Sequence, residues 1–133
     1  MSAINEGGYT VLAELGLATT GKVAAPGSGA TITLWSSIGN NPAAGKGSRY
    51  KMLVMNIYSS HASAASGLVI SESSDKGVTW DSLATASVSA TTYTKTYTKV
   101  SAPDVKVEYT NSANVLTTWR GSVLGDPMER SNG

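Results

Sequence analysis

Cysteine is absent from the 133 residues. No disulfide can staple this fold, and no thiolate can hold a metal. Charge is scarce: Asp, Glu, Lys and Arg make up 14% of the chain, where about a quarter is usual. The formal net charge is +1 and the Lys and Arg residues are scattered. Without a basic block to neutralise phosphates, nucleic acid is excluded as a partner. No apolar run reaches the roughly 18 residues of a transmembrane helix, so no membrane span is expected. The first residues show no basic segment followed by an apolar one, so no secretion signal is expected either. Histidine occurs once, as His61 between Ser60 and Ala62. With no acid or metal partner in sequence reach, it reads as a solvated loop residue.

The chemistry-bearing residues form no reactive constellation. The acids are Glu6, Glu14, Glu72, Asp75, Asp81, Asp104, Glu108, Asp126 and Glu129. None makes an evident general acid–base pair or a metal-ligand cluster. Glu72, Asp75 and Asp81 are near one another, where a calcium site is conceivable but a solvated turn is the default reading. Serines abound, yet a nucleophilic serine needs a base. Gly45 and Lys46 superficially suggest a phosphate loop. The spacing from Gly39 is one residue too long, and Gly47 stands where Ser or Thr is required. Residues 39–48 therefore read as a mobile surface loop. No enzyme activity and no cofactor are expected.

What is present is β-forming. The length suits one domain with a real core. Residues 67–80 organise the reading: Leu68, Val69 and Ile70 end a strand, then Ser73, Asp75 and Gly77 supply turn chemistry, and Val78, Thr79 and Trp80 resume a β-favouring run. Asp75 can accept from nearby backbone N–H groups, and Gly77 can adopt positive φ. Trp80 can pin the hairpin to a sheet. The spacing Ser73-x-Asp75-x-Gly77-x-Thr79-Trp80 resembles the Asp-box, a structural turn of sialidase-like propellers and other β proteins. A propeller would need repeats, and one copy is present.

Alternation places the remaining strands. Residues 30–38 put Ile32, Leu34, Ser36 and Ile38 on one side and Trp35 on the other, as an edge cover or a contact surface. Residues 50–58 are apolar on both sides, which predicts a central strand or a covered face. Leu83 and Val88 anchor a weak segment that is either bulged or not one strand. Residues 93–99 alternate strictly, with Tyr93, Lys95, Tyr97 and Lys99 on one side. That row predicts an edge strand whose lysines discourage edge pairing; the other reading is an aromatic stacking platform. Val105, Val107 and Tyr109 face a core, with Asp104, Lys106, Glu108 and Thr110 toward water. Residues 111–114 read as a turn leading back into a last strand over 115–124, a local antiparallel hairpin.

The sum is an all-β fold: an antiparallel β-sandwich or jelly roll of about seven or eight strands with an extended N-terminal arm. The expected core holds Ile32, Leu34, Leu53, Ile57, Val69, Val105, Val107 and Trp119. The organisation is an arm over residues 1–29, a sandwich over 30–125 and a polar tail over 126–133. Tyr9, Val11, Leu12, Leu15 and Leu17 in the arm are the candidate capsid or subunit interface. They supply either a first edge strand of the same domain or a surface packed on a neighbouring subunit.

From Leu53 to Leu124 the order of parts resembles small β-sandwich proteins of tailed-bacteriophage virions. The carrying stretches are Leu-Val-Met-Asn-Ile-Tyr, Val-Ile-Ser-Glu-Ser-Ser-Asp-Lys-Gly-Val-Thr-Trp, the Tyr-Thr strand, Ala-Pro-Asp-Val-Lys-Val-Glu-Tyr-Thr-Asn and the closing Thr-Thr-Trp-Arg. Such proteins include capsid decoration, or cement, proteins with a jelly-roll body. The resemblance implies a place on the outer capsid surface, the major capsid protein as partner, and self-association, often as trimers. The alternatives are a carbohydrate-binding or host-recognition sandwich using Trp35, Tyr93 or Tyr97, and a tail or neck subunit of the virion.

Overall fold

The computed structural model describes residues 9–17, 21–38 and 51–126. Eight strands carry the fold: β1 (Thr10–Leu15), β2 (Thr31–Ser36), β3 (Met52–Ser59), β4 (Ser63–Ser73), β5 (Asp81–Ala86), β6 (Thr94–Lys99), β7 (Asp104–Asn111) and β8 (Trp119–Asp126). Among the described residues there is no helix. The first strand pairs with the last, β2 with β7, β3 with β6, and β4 with β5, every pair antiparallel. The chain is thus one long ribbon, doubled back on itself between β4 and β5. Wrapping that ribbon sends successive pairs to opposite layers, and β3·β8 and β4·β7 pairing completes each layer. Sheet A has the order β1-β8-β3-β6 and sheet B the order β2-β7-β4-β5. This is a jelly-roll sandwich, as the sequence pattern predicts.

The inward side chains follow the alternation. Leu53, Met55 and Ile57 of β3 face Leu68 and Ile70 of β4 and Val105, Val107 and Tyr109 of β7 across one core, joined by Trp119 and Val123 of β8. The Tyr109 and Trp119 rings meet edge to face with centroids 5.0 Å apart, a favoured aromatic geometry. Polar bonds close the end of the sandwich where β2 stops and β7 begins. Ser37 Oγ donates to Asp104 Oδ1 at 2.8 Å and accepts from the Val105 N–H at 3.1 Å. Glu72 Oε1 accepts from the Ala102 N–H at 3.2 Å, tying β4 to the crossing between β6 and β7.

Several sequence expectations change. Residues 10–15 form edge strand β1 of the sandwich, paired with β8, so the arm does not extend over the whole of 1–29. Leu15 is 2% exposed inside the domain's own core, and Leu12 packs against that core. Leu15 is thus enclosed by the sandwich itself, while Leu12 is half-buried. The reason is register: a shift between Val11 and Ala13 inserts an extra residue and turns Leu12 and Ala13 toward the core.

A similar shift between Thr33 and Trp35 reverses the second strand's parity. Trp35 pairs with the inward residue Val107 and is 6% exposed. It is a core residue, and it can be neither an edge cover nor a stacking platform.

The expected hairpin of the last two strands is absent. β7 belongs to sheet B and β8 to sheet A, so the chain between them crosses layers. Val115 lies in that crossing, 72% exposed, and the last strand starts at Trp119. Asp126 ends this strand rather than starting a tail. Val69 sits on the outside of sheet B, beside Glu108 and Thr85, instead of in the core. Asp104 is buried against Ser37 instead of facing water. β4 begins at Ser63, within a segment that reads as a loop in sequence. β5 ends at Ala86, and Val88 is buried beyond it. The phosphate-loop-like segment 39–48, the first eight residues of the arm and the tail from residue 127 lie outside the described residues.

Candidate functional site

The two outer faces of the sandwich differ in chemistry. Sheet B presents Thr31, Thr33 and Ser36 of β2, Lys106, Glu108 and Thr110 of β7, and Ser82 and Thr85 of β5. These groups satisfy one another: the Thr31 and Thr110 hydroxyls lie 2.7 Å apart, and Lys106 Nζ is 3.6 Å from Glu108 Oε2. Apart from Val69 and Trp80, this face is polar.

Sheet A presents the opposite. Its register builds rows across four strands, because the residues facing outward on neighbouring strands stand side by side. One row runs Val11, Leu124, Val54, Tyr97 from β1 to β6. Val11 is 56% exposed and Tyr97 63% exposed at its two edges, with Val54 buried in the middle. The next row runs Glu14, Ser122, Asn56, Lys95. Beyond it, Arg120 of β8 stands opposite Tyr58 of β3, and Tyr93 follows at the head of β6. The outer positions of β6 keep the alternation read from the sequence, and β6 is an edge strand.

Arg120 is held in place. Its guanidinium lies 4.1 Å from the Tyr58 ring centroid and 5.6 Å from that of Tyr93, and its Nε–H donates to the Tyr93 hydroxyl at 3.0 Å. The two tyrosine rings are 5.2 Å apart. Stacking and the Nε bond fix the plane of the guanidinium while its terminal amino groups point to no partner among the described residues. An oriented arginine between aromatic rings beside an aliphatic row has the composition of a protein-contact surface.

Two sets of residues that the sequence keeps apart therefore meet on one face. Val11, from the candidate interface, and Tyr97, from the candidate stacking platform, are the ends of a single row. Tyr9 precedes β1 and Leu17 follows it, both exposed. Tyr93 is bound into the Arg120 cluster. Sequence reasoning did not single out Tyr58, Val54, Leu124 or Arg120. Their outward parity was visible in each strand alone, but which strands lie side by side was not.

The turn between β4 and β5 shows why Ser73, Asp75 and Gly77 stand where they do. Ser73 Oγ donates to Asp75 Oδ1 at 2.8 Å and accepts from the Gly77 N–H at 2.8 Å. Asp75 accepts from the Thr79 N–H at 2.9 Å and from the Thr79 hydroxyl at 2.6 Å. These bonds, the Thr79 hydroxyl first, hold the Asp75 carboxyl down to about 2. Lys76 and Gly77 both have positive φ, 60° and 88°, and a Cβ on Gly77 would press on Ile38 and Trp80. Trp80 lies against sheet B with Lys106 Nζ 4.6 Å from its ring centroid. The turn is a structural device at the fold of the ribbon. Val78 and Ile38 are exposed apolar groups around it. Among the described residues no pocket indents the surface, and no group of three or more His, Asp or Glu is placed to hold a metal.

No protein-family model matches the chain. No curated protein matches it either. Among solved structures, the PBSX exported protein XepA superimposes with a TM-score of 0.65 at 14% identity, over 94% of this chain and 39% of that one. The chain thus spans well under half the length of XepA, and the likeness is one of fold.

Proposed function

We propose that this protein is a structural component of a tailed-phage particle, a capsid decoration protein that binds the outer shell and stabilises contacts between major capsid subunits. The observation that carries this reading is the outer face of sheet A, where an apolar row and a tyrosine–arginine cluster flank a polar row, a surface open to the shell or to a second copy. That composition suits lasting contact with protein and supplies no group poised for catalysis. The sandwich it shares with a PBSX exported protein supports a phage setting. In this reading the protein has no catalytic role, and its partners are the major capsid protein and itself.

Incubating purified protein with undecorated capsids tests it. Co-sedimentation at a copy number near that of the major capsid protein, with a raised particle melting temperature, is the expected result. A few copies per particle would instead place the protein in a tail or neck. The Tyr58, Tyr93 and Arg120 cluster favours a second reading, carbohydrate recognition, because tyrosine faces stack on sugar rings. Binding on a glycan array that is lost in a Tyr93→Ala, Tyr97→Ala double variant, with particle binding unchanged, would establish that reading instead.

A further inference from the structure

We propose that the outer face of sheet A pairs with the same face of a second copy, about a two-fold axis parallel to the strands. This rests on the reading of that face as a protein-contact surface. The argument is self-complementarity. An axis lying over the sheet between β8 and β3 sets β1 of one copy against β6 of the other, and β8 against β3. Each row then meets its own copy in reverse. Val11 meets Tyr97 of the second copy at both edges, and Leu124 lies over the strand that carries its already buried Val54, so the aliphatic row closes on itself.

In the neighbouring row Glu14 meets Lys95 of the second copy, an acid on a base, and the symmetry makes this pair twice. Arg120 meets Tyr58 of the second copy, placing another ring against a guanidinium already stacked at 4.1 Å. Lys95 and Arg120 therefore each meet an acid or a ring, not a cation. Reversing the second copy end for end would set the aliphatic row on the Glu14–Lys95 row and lose this match. Aligned sheets cross at about 30°, which displaces the edge strands by about 4 Å, more than half of the roughly 6.8 Å between rows. The central strands keep their rows, and at the edges the long side chains of Glu14, Lys95 and Tyr97 span the offset.

The face is modest in size. Four strands about 4.8 Å apart and three exposed rows about 6.8 Å apart span about 400 Å² of flat area per copy. Both copies together bury about 800 Å², in the range of weak, transient contacts. The expected product is a reversible dimer that dissociates on dilution, in place of the trimer implied by resemblance. It leaves Ile38 and Val78, at the turn between β4 and β5, facing outward for the particle.

Sedimentation velocity over a wide concentration range tests this, with thermal melts confirming that each variant folds. The unsubstituted protein is expected to shift from monomer to dimer. Glu14→Lys and Lys95→Glu each put like charges together twice and should weaken the dimer about tenfold. The double variant restores both pairs in swapped form and should recover it. Tyr97→Ser, which alters no charge, should weaken it as well. A protein that stays monomeric, or that forms trimers, or a double variant no better than the singles, overturns the proposal. Particle co-sedimentation is read separately. A monomer that still coats capsids would defeat the dimer and leave the decoration role standing; a dimer that ignores capsids would do the reverse.

Discussion

Trp119 donates its indole N–H to the carbonyl of Val23 at 2.9 Å, joining the start of the last strand to a segment 96 positions earlier. Val23 also bonds β1, through its N–H to the Glu14 carbonyl at 2.8 Å and its carbonyl to the Gly16 N–H at 3.1 Å. One buried indole thus anchors the connection that covers part of the free edge of β1, where open backbone groups would otherwise invite another strand. Trp119→Phe removes the donor and leaves space in the core. It should cost about 2 kcal/mol, read as a lower midpoint in urea at unchanged slope.

Gly121 has a positive φ of 148° and sits against β3, where an added Cβ would run into the Asn56 carbonyl. The obstacle is backbone in the middle of a sheet, which cannot swing aside as a long side chain can. Gly121→Ala should cost about 3 kcal/mol or more. Equilibrium denaturation checks this; a variant as stable as the parent would show that β3 and β8 can separate locally.

The Tyr109 hydroxyl is buried with no hydrogen bond of good geometry among the described residues, and burial pushes the phenol above its usual value against a smaller lowering from Ser59. An unpaired buried hydroxyl opposes folding. Tyr109→Phe keeps the ring that meets Trp119 and removes the unpaired oxygen. It should be neutral or stabilising by about 1 kcal/mol, measured by urea melts; a loss of stability would mean that the hydroxyl has a partner.

Asp75 titrates at about 2, below its ordinary 3.8, because Thr79 and Ser73 donate to the ionised form. A carboxyl lowered by folding contributes stability that is complete above its unfolded value and fades as pH falls through the folded one. Asp75→Ala should therefore melt at a lower temperature than the parent at neutral pH. The gap should narrow as pH drops from about 4 to about 2. A gap independent of pH would mean that the turn draws nothing from the charge.

Local alternation made much of this fold legible. Val105, Val107 and Tyr109 read as a core row and are one, and the outward Tyr and Lys positions of β6 read as an edge strand, which the sheet order shows. Both follow from the two-residue period of a strand, which depends only on neighbours in sequence. Trp35 and Leu12 did not yield to the same reasoning, because an extra residue in β2 or β1 reverses every face beyond it. That bulge is decided by the partner strand.

The chain by itself determined that the protein is an all-β sandwich, with a tight turn at residues 73–80 and few groups able to do chemistry. Only the tertiary structure decided which strands share a sheet. It sent β7 and β8 to opposite layers and made Val11 and Tyr97, far apart in sequence, the two ends of one row. The physical reason is that pairing between distant strands is settled by closing a common core. An exposed face is assembled only after that closure, from residues whose proximity no local pattern records.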